Sequence, residues 1–391
     1  MGVTESESSA PCAGVGLWDV LVQWGRIGCT GFGGPPSHIA LLRQLCVDRK
    51  RWLTPRDFED AVAACNLLPG PASTQLSIFC AWQVAGPAGA IVGGAAFIVP
   101  GLVFILGLAA VFLAASPPAW VLGAGAGAGA AVAAVAVHAG VGLARPSWKR
   151  THARSRWVTY ALLGALAAAT VGPWLVLVLL GCGVIELACR RVGPGNPLGS
   201  HAWPLLAITV VSSTGGVLAL VWVAFKVGAL SYGGGFVIVP LMQADAVHHY
   251  HWMTNAQFLN AVALGQLTPG PVTQTVAVVG YAAAGIAGGL LAALVAFTPS
   301  FVFVLMGGRH FDRLRHDTGP RSFLDGAGPA AIGAIIGAAI PLAFGLRETW
   351  QFVLLAGAAV ALFVLRRGVL FTLLLAGIVG LIATQLGAPL P

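Results

Sequence analysis

Hydroxyl and amide side chains flank two Pro-Gly-Pro triplets in this sequence, and such side chains can bind an oxyanion. The triplets are Pro69, Gly70 and Pro71, and Pro269, Gly270 and Pro271. Each triplet interrupts a helix, because proline lacks a backbone donor and glycine frees the backbone. The helix that starts after it presents free N–H groups and a dipole that attract anions. The flanking donors are Asn66, Ser73, Thr74, Gln75, Gln266, Thr268, Thr273, Gln274 and Thr275. Capping of the broken helix ends is the alternative role, and it is compatible with binding.

Two basic residues lie inside apolar stretches, Arg26 and Lys226, and they stand 200 residues apart. A charge inside a membrane is costly and usually functional. We therefore predict that the two cations converge on one dianion. In the alternative, each side chain reaches a membrane interface or pairs with an acid such as Asp19 or Glu186.

Titratable groups flank the first triplet only. They are His38, Asp57, Glu59 and Asp60, and their counterparts 200 positions later are Ile238, Gln257, Leu259 and Asn260. These four groups could couple transport to protons, because histidine titrates near neutral pH. They could equally form a solvated helix start, where acids are favourable.

Paired glycines end the first helix of each half, at Gly33 and Gly34 and at Gly233 and Gly234. They either allow close backbone approach or simply terminate the helix.

The composition is that of a membrane protein. Of 391 residues, 57% are hydrophobic and only 9% are charged, against roughly 25% charged in soluble proteins. Most of the exterior must therefore face lipid. The net charge is +8, but no basic face of a soluble domain suggests nucleic-acid binding. The seven cysteines show no C-x-x-C spacing, so neither a zinc site nor a redox pair is suggested. We predict no metal site and no cofactor.

The chain repeats itself at an offset of 200 residues. Trp52 returns as Trp252 and Phe58 as Phe258, together with the Pro-Gly-Pro triplets. The predicted organisation is a polar tail (1–13), a first repeat (14–192) and a second repeat (203–391). Repeats around a central site are typical of membrane transporters.

Positive charge predicts the topology. Basic clusters at 43–56, 145–156, 190–191, 309–321 and 366–367 should all be cytoplasmic. This holds only if segments 57–84 and 257–284 enter and leave on one side. The sequence thus predicts an all-α integral membrane protein of two inverted repeats, each with about five transmembrane helices and one Pro-Gly-Pro re-entrant hairpin. Hairpins that truly span remain the weaker alternative.

The ordered motifs resemble the chromate ion transporter family in its long two-domain form. The matching stretches are Gly31-Phe32-Gly33-Gly34-Pro35, 66–75, Tyr232-Gly233-Gly234-Gly235-Phe236, 263–271 and Pro299-Ser300-Phe301. The resemblance covers both repeats and implies a multi-pass protein of the bacterial inner membrane. It implies export of chromate from the cytoplasm by the proton motive force, and hence chromate resistance. Asn66 departs from the pattern, because glutamine is expected there.

We therefore predict a secondary transporter for chromate, not an enzyme, with sulfate as a competing ligand. The alternatives are uptake of sulfate or another oxyanion, and a membrane enzyme or scaffold without flux. Gly333 and Gly337 could serve a homodimer or only internal packing. The glycine–alanine run at 123–129 is interpreted as helix packing rather than a nucleotide loop.

Overall fold

Helices make up all the regular structure that is described. The computed structural model describes residues 15–66, 68, 70–151, 153–170, 175–191, 216–231, 238–307 and 318–390. The first half contains α1 (Leu17–Thr30), α2 (Pro35–Arg43), α3 (Pro55–Cys65), α4 (Ala72–Phe112), α5 (Ala119–Arg150), α6 (Arg154–Thr170) and α7 (Leu175–Arg191). The second half contains α8 (Val217–Leu230), α9 (Ile238–Gln243), α10 (Asn255–Leu267), α11 (Thr275–Gly307), α12 (Thr318–Gly337), α13 (Ala339–Phe344), α14 (Thr349–Ala359) and α15 (Val369–Gln385).

The sequence duplication is also a duplication of the backbone. A π-helical turn follows α2 at Gln44–Arg49 and α9 at Ala244–His249. Arg51 and His251 then adopt positive φ, at 52° and 53°. Threonine caps the next helix in both halves, since Thr54 accepts from the Asp57 amide and Thr254 from the Gln257 amide. The two halves therefore share their local signals for helix ends.

Helix α4 reverses direction at Ala85 and Gly86. Gly86 has φ 65°, a conformation that glycine adopts without a steric penalty. Residues 72–84 (α4a) fold back on residues 87–112 (α4b), because position 89 lies against the Ala81 carbonyl and position 94 against Ile78. Helix α11 repeats the reversal at Gly285, which divides it into α11a (275–283) and α11b (286–307). Helices α3 and α4a, and α10 and α11a, thus occupy the segments predicted as hairpins.

Each half also contains a second hairpin that the sequence did not predict. The positive φ values of Gly33 and Gly34, at 95° and 76°, accompany a turn after α1. Trp52 then stacks on Trp24 with 6.1 Å between ring centroids, so α2 and its π turn return alongside α1. The pairing of Lys226 with Asp245 brings α8 and the π turn after α9 together likewise. Among the described residues, α1 is therefore one arm of a hairpin, and the predicted number of about five transmembrane helices in each half stays a prediction.

The hairpin ends from the two halves meet at the middle of α4b. The Gly270 amide donates to the Gly31 carbonyl at 3.0 Å, and Gln274 Nε2 donates to the Ile98 carbonyl at 2.8 Å. A Cβ on Gly101 would collide with the Pro269 carbonyl oxygen. We call this region, defined by Gly31, Ile98, Gly101 and Gly270, the centre.

Helices α4b and α11b cross the centre in opposite directions. Position 94 on α4b faces Phe301, whereas position 289 on α11b faces Leu106. Contacts that pair early with late residues require antiparallel helices. Two equivalent helices therefore run antiparallel where the halves meet.

The halves exchange partners at their peripheries. Helix α5 of the first half packs along α14 and α15 of the second, and α12 of the second half packs along α6 and α7 of the first. Small residues permit this close approach. Gly127 lies against Gly380, and Gly333 and Gly337 lie against Ala161 and Ala165. The glycine pair that could have served a dimer is thus occupied by α6 of the same chain.

Apolar side chains cover the outside of the helix bundle. Val103, Leu166, Leu294 and Val353 are each more than 60% exposed. Four described helical stretches are long and apolar enough to cross a membrane: Ala72–Phe112, Ala119–Arg150, Val272–Gly307 and Arg321–Phe344. This surface suits lipid and identifies an integral membrane protein.

Candidate functional site

Most of the predicted binding residues are buried around the centre. Ser73, Thr74 and Gln75 occupy the first turn of α4a, and Thr273 and Gln274 lie in the 3₁₀ turn that precedes α11. Gln266 and Thr268 end α10. All of these side chains are less than 9% exposed. Asn66 differs, because its side chain is exposed at the end of α3.

Several of these buried groups have no hydrogen-bond partner among the described residues. They include Thr74 Oγ1, Ser77 Oγ, Gln266 Nε2, Thr268 Oγ1, Gln274 Oε1 and Ser300 Oγ. An unsatisfied buried polar group costs about 1–3 kcal/mol, so native proteins contain few of them. The hydroxyl and amide donors among these groups are what an oxyanion needs. Their isolation indicates that a ligand or water completes the region.

Two other predicted donors are already engaged. Thr275 Oγ1 donates to the Val272 carbonyl at 2.9 Å, which matches the alternative role in helix ends. Thr273 Oγ1 lies 3.5 Å from Ser231 Oγ at the end of α8. These contacts position the turn, and they leave Thr74, Gln266 and Thr268 as the donors available to a ligand.

Two helices of the first half begin at the centre. Helix α2 starts directly after Gly34. A Cβ atom placed on Gly34 would lie 3.8 Å from Val272 Cγ2, in the turn before α11. Helix α4 starts after Pro71, which makes no side-chain cap. The start of α4 therefore directs the free N–H groups of Ala72 and Ser73 toward this region. Helix α2 begins with Pro35 and Pro36, which have no N–H, so it contributes mainly the positive end of its dipole.

His38 links α2 to the start of α4. Its Nε2 lies 2.9 Å from the Gly31 carbonyl oxygen, and its Nδ1 lies 3.3 Å from Ser73 Oγ. A carbonyl only accepts, so Nε2 carries the proton and Nδ1 accepts from the Ser73 hydroxyl. The ring also makes an edge contact with Phe97 and is fully buried. His38 thus connects both N-termini.

The two cations predicted to converge occupy different environments. Lys226 is buried, and its Nζ donates to Asp245 Oδ2 at 2.6 Å while lying 5.8 Å from the Trp222 ring. Arg26 is exposed on α1. The ion pair matches the alternative role for Lys226, although its partner is Asp245 rather than Asp19 or Glu186. The convergence of both cations on one dianion stays a prediction.

The acids near the first hairpin are partly or fully exposed on α3. Asp57 accepts from the Thr54 hydroxyl at 2.7 Å at the start of α3, and Glu59 pairs with exposed Arg43 at 3.5 Å. Asp60 is partly exposed on the same helix. His38 is the titratable candidate that is seen in contact with the Ser73 turn among the described residues. Two predicted segments lie outside the described residues: Pro69, and residues 232–237 with Gly233 and Gly234.

Sequence reasoning missed two residues of this region. Ser300 is the counterpart of Gly101, because the reversals at Gly86 and Gly285 fix an offset of 199 beyond the hairpins. Asp245 is buried beside Lys226 on the π turn after α9. If the repeat offset had been changed from 200 to 199 after residue 284, Ser300 would have been recognised as the counterpart of Gly101. No sequence signal pairs Asp245 with Lys226.

Comparison with known proteins gives a consistent result. The family model "Chromate transporter" matches residues 18–187 and 218–381. A chromate transport protein of Cupriavidus metallidurans is 32% identical over 95% of this chain and 94% of its own length. A probable chromate transport protein of Synechococcus elongatus is 27% identical over 81% and 82%. A chromate transport protein of Pseudomonas aeruginosa is 26% identical over 81% and 79%. No solved structure matches significantly.

Proposed function

Since the chain belongs to the chromate transporter family, we propose that it exports chromate from the cytoplasm by alternating access around the centre. The family and the apolar helices make it a membrane transporter of chromate rather than an enzyme. The direction, the coupling to protons, the location in a bacterial inner membrane and the resulting chromate resistance are parts of the proposal.

The observation that carries the binding site is the set of unpartnered buried donors. Thr74, Gln266 and Thr268 offer donors from both halves, and each is more than 90% buried. Chromate is a tetrahedral dianion whose oxygens accept hydrogen bonds. Donors in a dry site bind such charge more strongly than water-exposed donors do. The N-termini of α2 and α4 add favourable potential for an anion. Sulfate has the same shape and charge, and we expect it to compete.

Inverted repeats are the second part of the proposal. Parallel repeats would place α4b and α11b side by side in one direction, whereas their contacts are antiparallel. The basic ends of helices α6, α7 and α12 also lie together. Arg156 and Arg190 pair with Glu186, and Arg190 pairs with Asp325 near the start of α12. Arg347 lines a shallow cavity with Trp252 and Thr254 beyond the other end of α12. Tags at residues 150 and 250 should therefore report opposite sides of the membrane.

Alternating access follows from the position of the hairpin ends. Helices α2 and α4 of the first half and α11 of the second half begin at the centre, and the turn before α11 packs against α4b of the first half. A rocking motion of one half would open the centre first to one side and then to the other. The dianion would stay bound at the centre while access to it changes sides, rather than diffuse through an open pore.

Proton coupling is proposed at His38, with Asp57, Glu59 and Asp60 as the approach to it. Protonation of His38 would place a proton on Nδ1, which would then donate to Ser73 Oγ. Gain or loss of a proton at His38 would thus change the hydrogen bonds that Ser73 makes at the centre, and this would link the proton to the bound anion.

Reconstitution tests the function. Purified protein in liposomes should give saturable uptake of radiolabelled chromate that sulfate inhibits, and an imposed pH gradient should drive accumulation. Protein-free liposomes and liposomes with an unrelated helical transporter are the controls. Absence of saturable flux, together with absence of binding in detergent, would remove the proposal.

A further inference from the structure

The buried pair of Lys226 and Asp245 is not needed to build its hairpin. The first half forms the same hairpin with Leu45 at the position equivalent to Asp245 and with an exposed Arg26 opposite. A buried ion pair also adds little stability, because desolvation of both charges offsets their attraction. The pair therefore calls for a role other than support of the fold.

Lys226 lies at the depth of the centre. The carbonyl oxygen of Gly228, two residues further along α8, is 3.4 Å from the position of a Cβ on Gly70. Two residues of helix rise only about 3 Å. Ser231, at the end of the same helix, contacts Thr273 beside the second triplet. The last turn of α8 thus touches both Pro-Gly-Pro segments, and Lys226 lies two residues before the contact of Gly228 with Gly70.

Few other charges act on the pair. Helices α9 and α10, which pack on the π turn of Asp245, carry no titratable side chain, and Lys226 is the single charged residue of α8. His249 on the same π turn is the other titratable group that influences Asp245. If Lys226 separates from Asp245, an anion bound in the site can thus replace the carboxylate as its negative partner.

We propose that Asp245 is a built-in competitor of the transported dianion, which holds Lys226 while the site is empty and yields it when the anion binds. This inference rests on the proposed function and deepens it. The competition weakens anion affinity, and the returning carboxylate promotes release. In the first half Leu45 stands at the position equivalent to Asp245, so the two halves contribute unequally to the cycle.

Equilibrium binding of radiolabelled chromate to purified protein in detergent tests this, with sulfate as a second probe because it stays a dianion around neutral pH. Asp245→Asn should bind chromate about tenfold more tightly, because Lys226 is no longer shared. Lys226→Gln should bind about tenfold more weakly. The double variant should resemble Lys226→Gln, because Asp245 acts only through the lysine. Asp48→Asn, an exposed carboxylate on the equivalent π turn, is the matched control and should bind as the wild type does.

Unchanged or weaker binding by Asp245→Asn would overturn the inference and leave the proposed function intact. Absence of binding in the wild type would instead remove both. If Asp245→Asn does not fold, because Lys226 is left buried and unpaired, the double variant decides. Wild-type affinity in the double variant would show that Lys226 takes no part in binding, and weaker affinity would support it.

Discussion

At the scale of single residues, the unusual feature is that hydrogen-bonding groups are buried without partners. Thr74 is fully buried, yet its hydroxyl has no partner among the described residues, although Ser73 next to it bonds to His38. A folded protein keeps such a group at a cost of about 1–3 kcal/mol. The residue is therefore best explained by what it binds rather than by what it stabilises.

Thr74→Val separates these two roles. We expect chromate affinity to fall about tenfold or more, because a hydrogen bond to a charged group is worth about 1.5–3 kcal/mol. The thermal unfolding midpoint should stay constant or rise, because valine keeps the shape and removes the unpaired hydroxyl. Thr159→Val on α6, whose hydroxyl bonds to the Ser155 carbonyl at an exposed position, is the control. A loss of stability with unchanged binding would contradict the assignment.

His38→Gln tests proton coupling. Glutamine can still donate to the Gly31 carbonyl, but it cannot gain a proton. Chromate binding should persist, whereas a pH gradient should no longer drive accumulation in liposomes. The same substitution at exposed His248 should leave gradient-driven uptake unchanged. Gradient-driven accumulation by His38→Gln would assign coupling to another group.

At the scale of helices, the hairpins were only half predictable. Proline and glycine in the Pro-Gly-Pro triplets break the helix, so the hairpin formed by α3 and α4a could be predicted from the sequence. The hairpin of α1 and α2 could not, because the composition of 17–30 does not distinguish a short hairpin arm from part of a spanning helix. Its return is visible only in a contact between residues far apart in sequence, Trp24 and Trp52. The pairing of Lys226 with Asp245 was hidden for the same reason.

Close helix contact at the centre gives a third prediction. Gly101→Ala should lower chromate affinity about tenfold and destabilise the protein by about 1–3 kcal/mol, because the new Cβ would displace the Pro269 carbonyl. Gly107→Ala on the same helix has open space around it and should be neutral or stabilising by about 1 kcal/mol. Binding and thermal unfolding measured on both variants provide the comparison. Equal behaviour of the two would place the triplet away from Gly101.

At the scale of the whole molecule, an ion-pair network joins the two halves. Buried Glu186 on α7 contacts Arg156 at 3.1 Å and Arg190 at 2.9 Å, and Arg190 also reaches Asp325 on α12 at 2.9 Å. The hydroxyl of Tyr160 donates to the same glutamate at 3.2 Å. The network fixes the ends of three helices where α12 of the second half lies against the first.

Glu186→Gln should therefore lower the free energy of unfolding by about 2 kcal/mol, below the 3–5 kcal/mol of fully buried pairs, because both arginines are about 40% exposed. Glu59→Gln breaks an exposed pair with Arg43 and should cost about 0–1 kcal/mol. Thermal unfolding in detergent at low and high salt measures both. Equal small effects would show that the network does not support the assembly.

The crossed packing of α5 on α14 and α15, and of α12 on α6 and α7, has a consequence for how such a protein can be built. A polypeptide carrying one half alone would lack the partner for its own last two helices and would leave its fifth helix bare. A half-length protein must therefore pair with a second copy of itself. Two halves encoded as separate chains can form one transporter only if each packs its helices against the other in this reciprocal way.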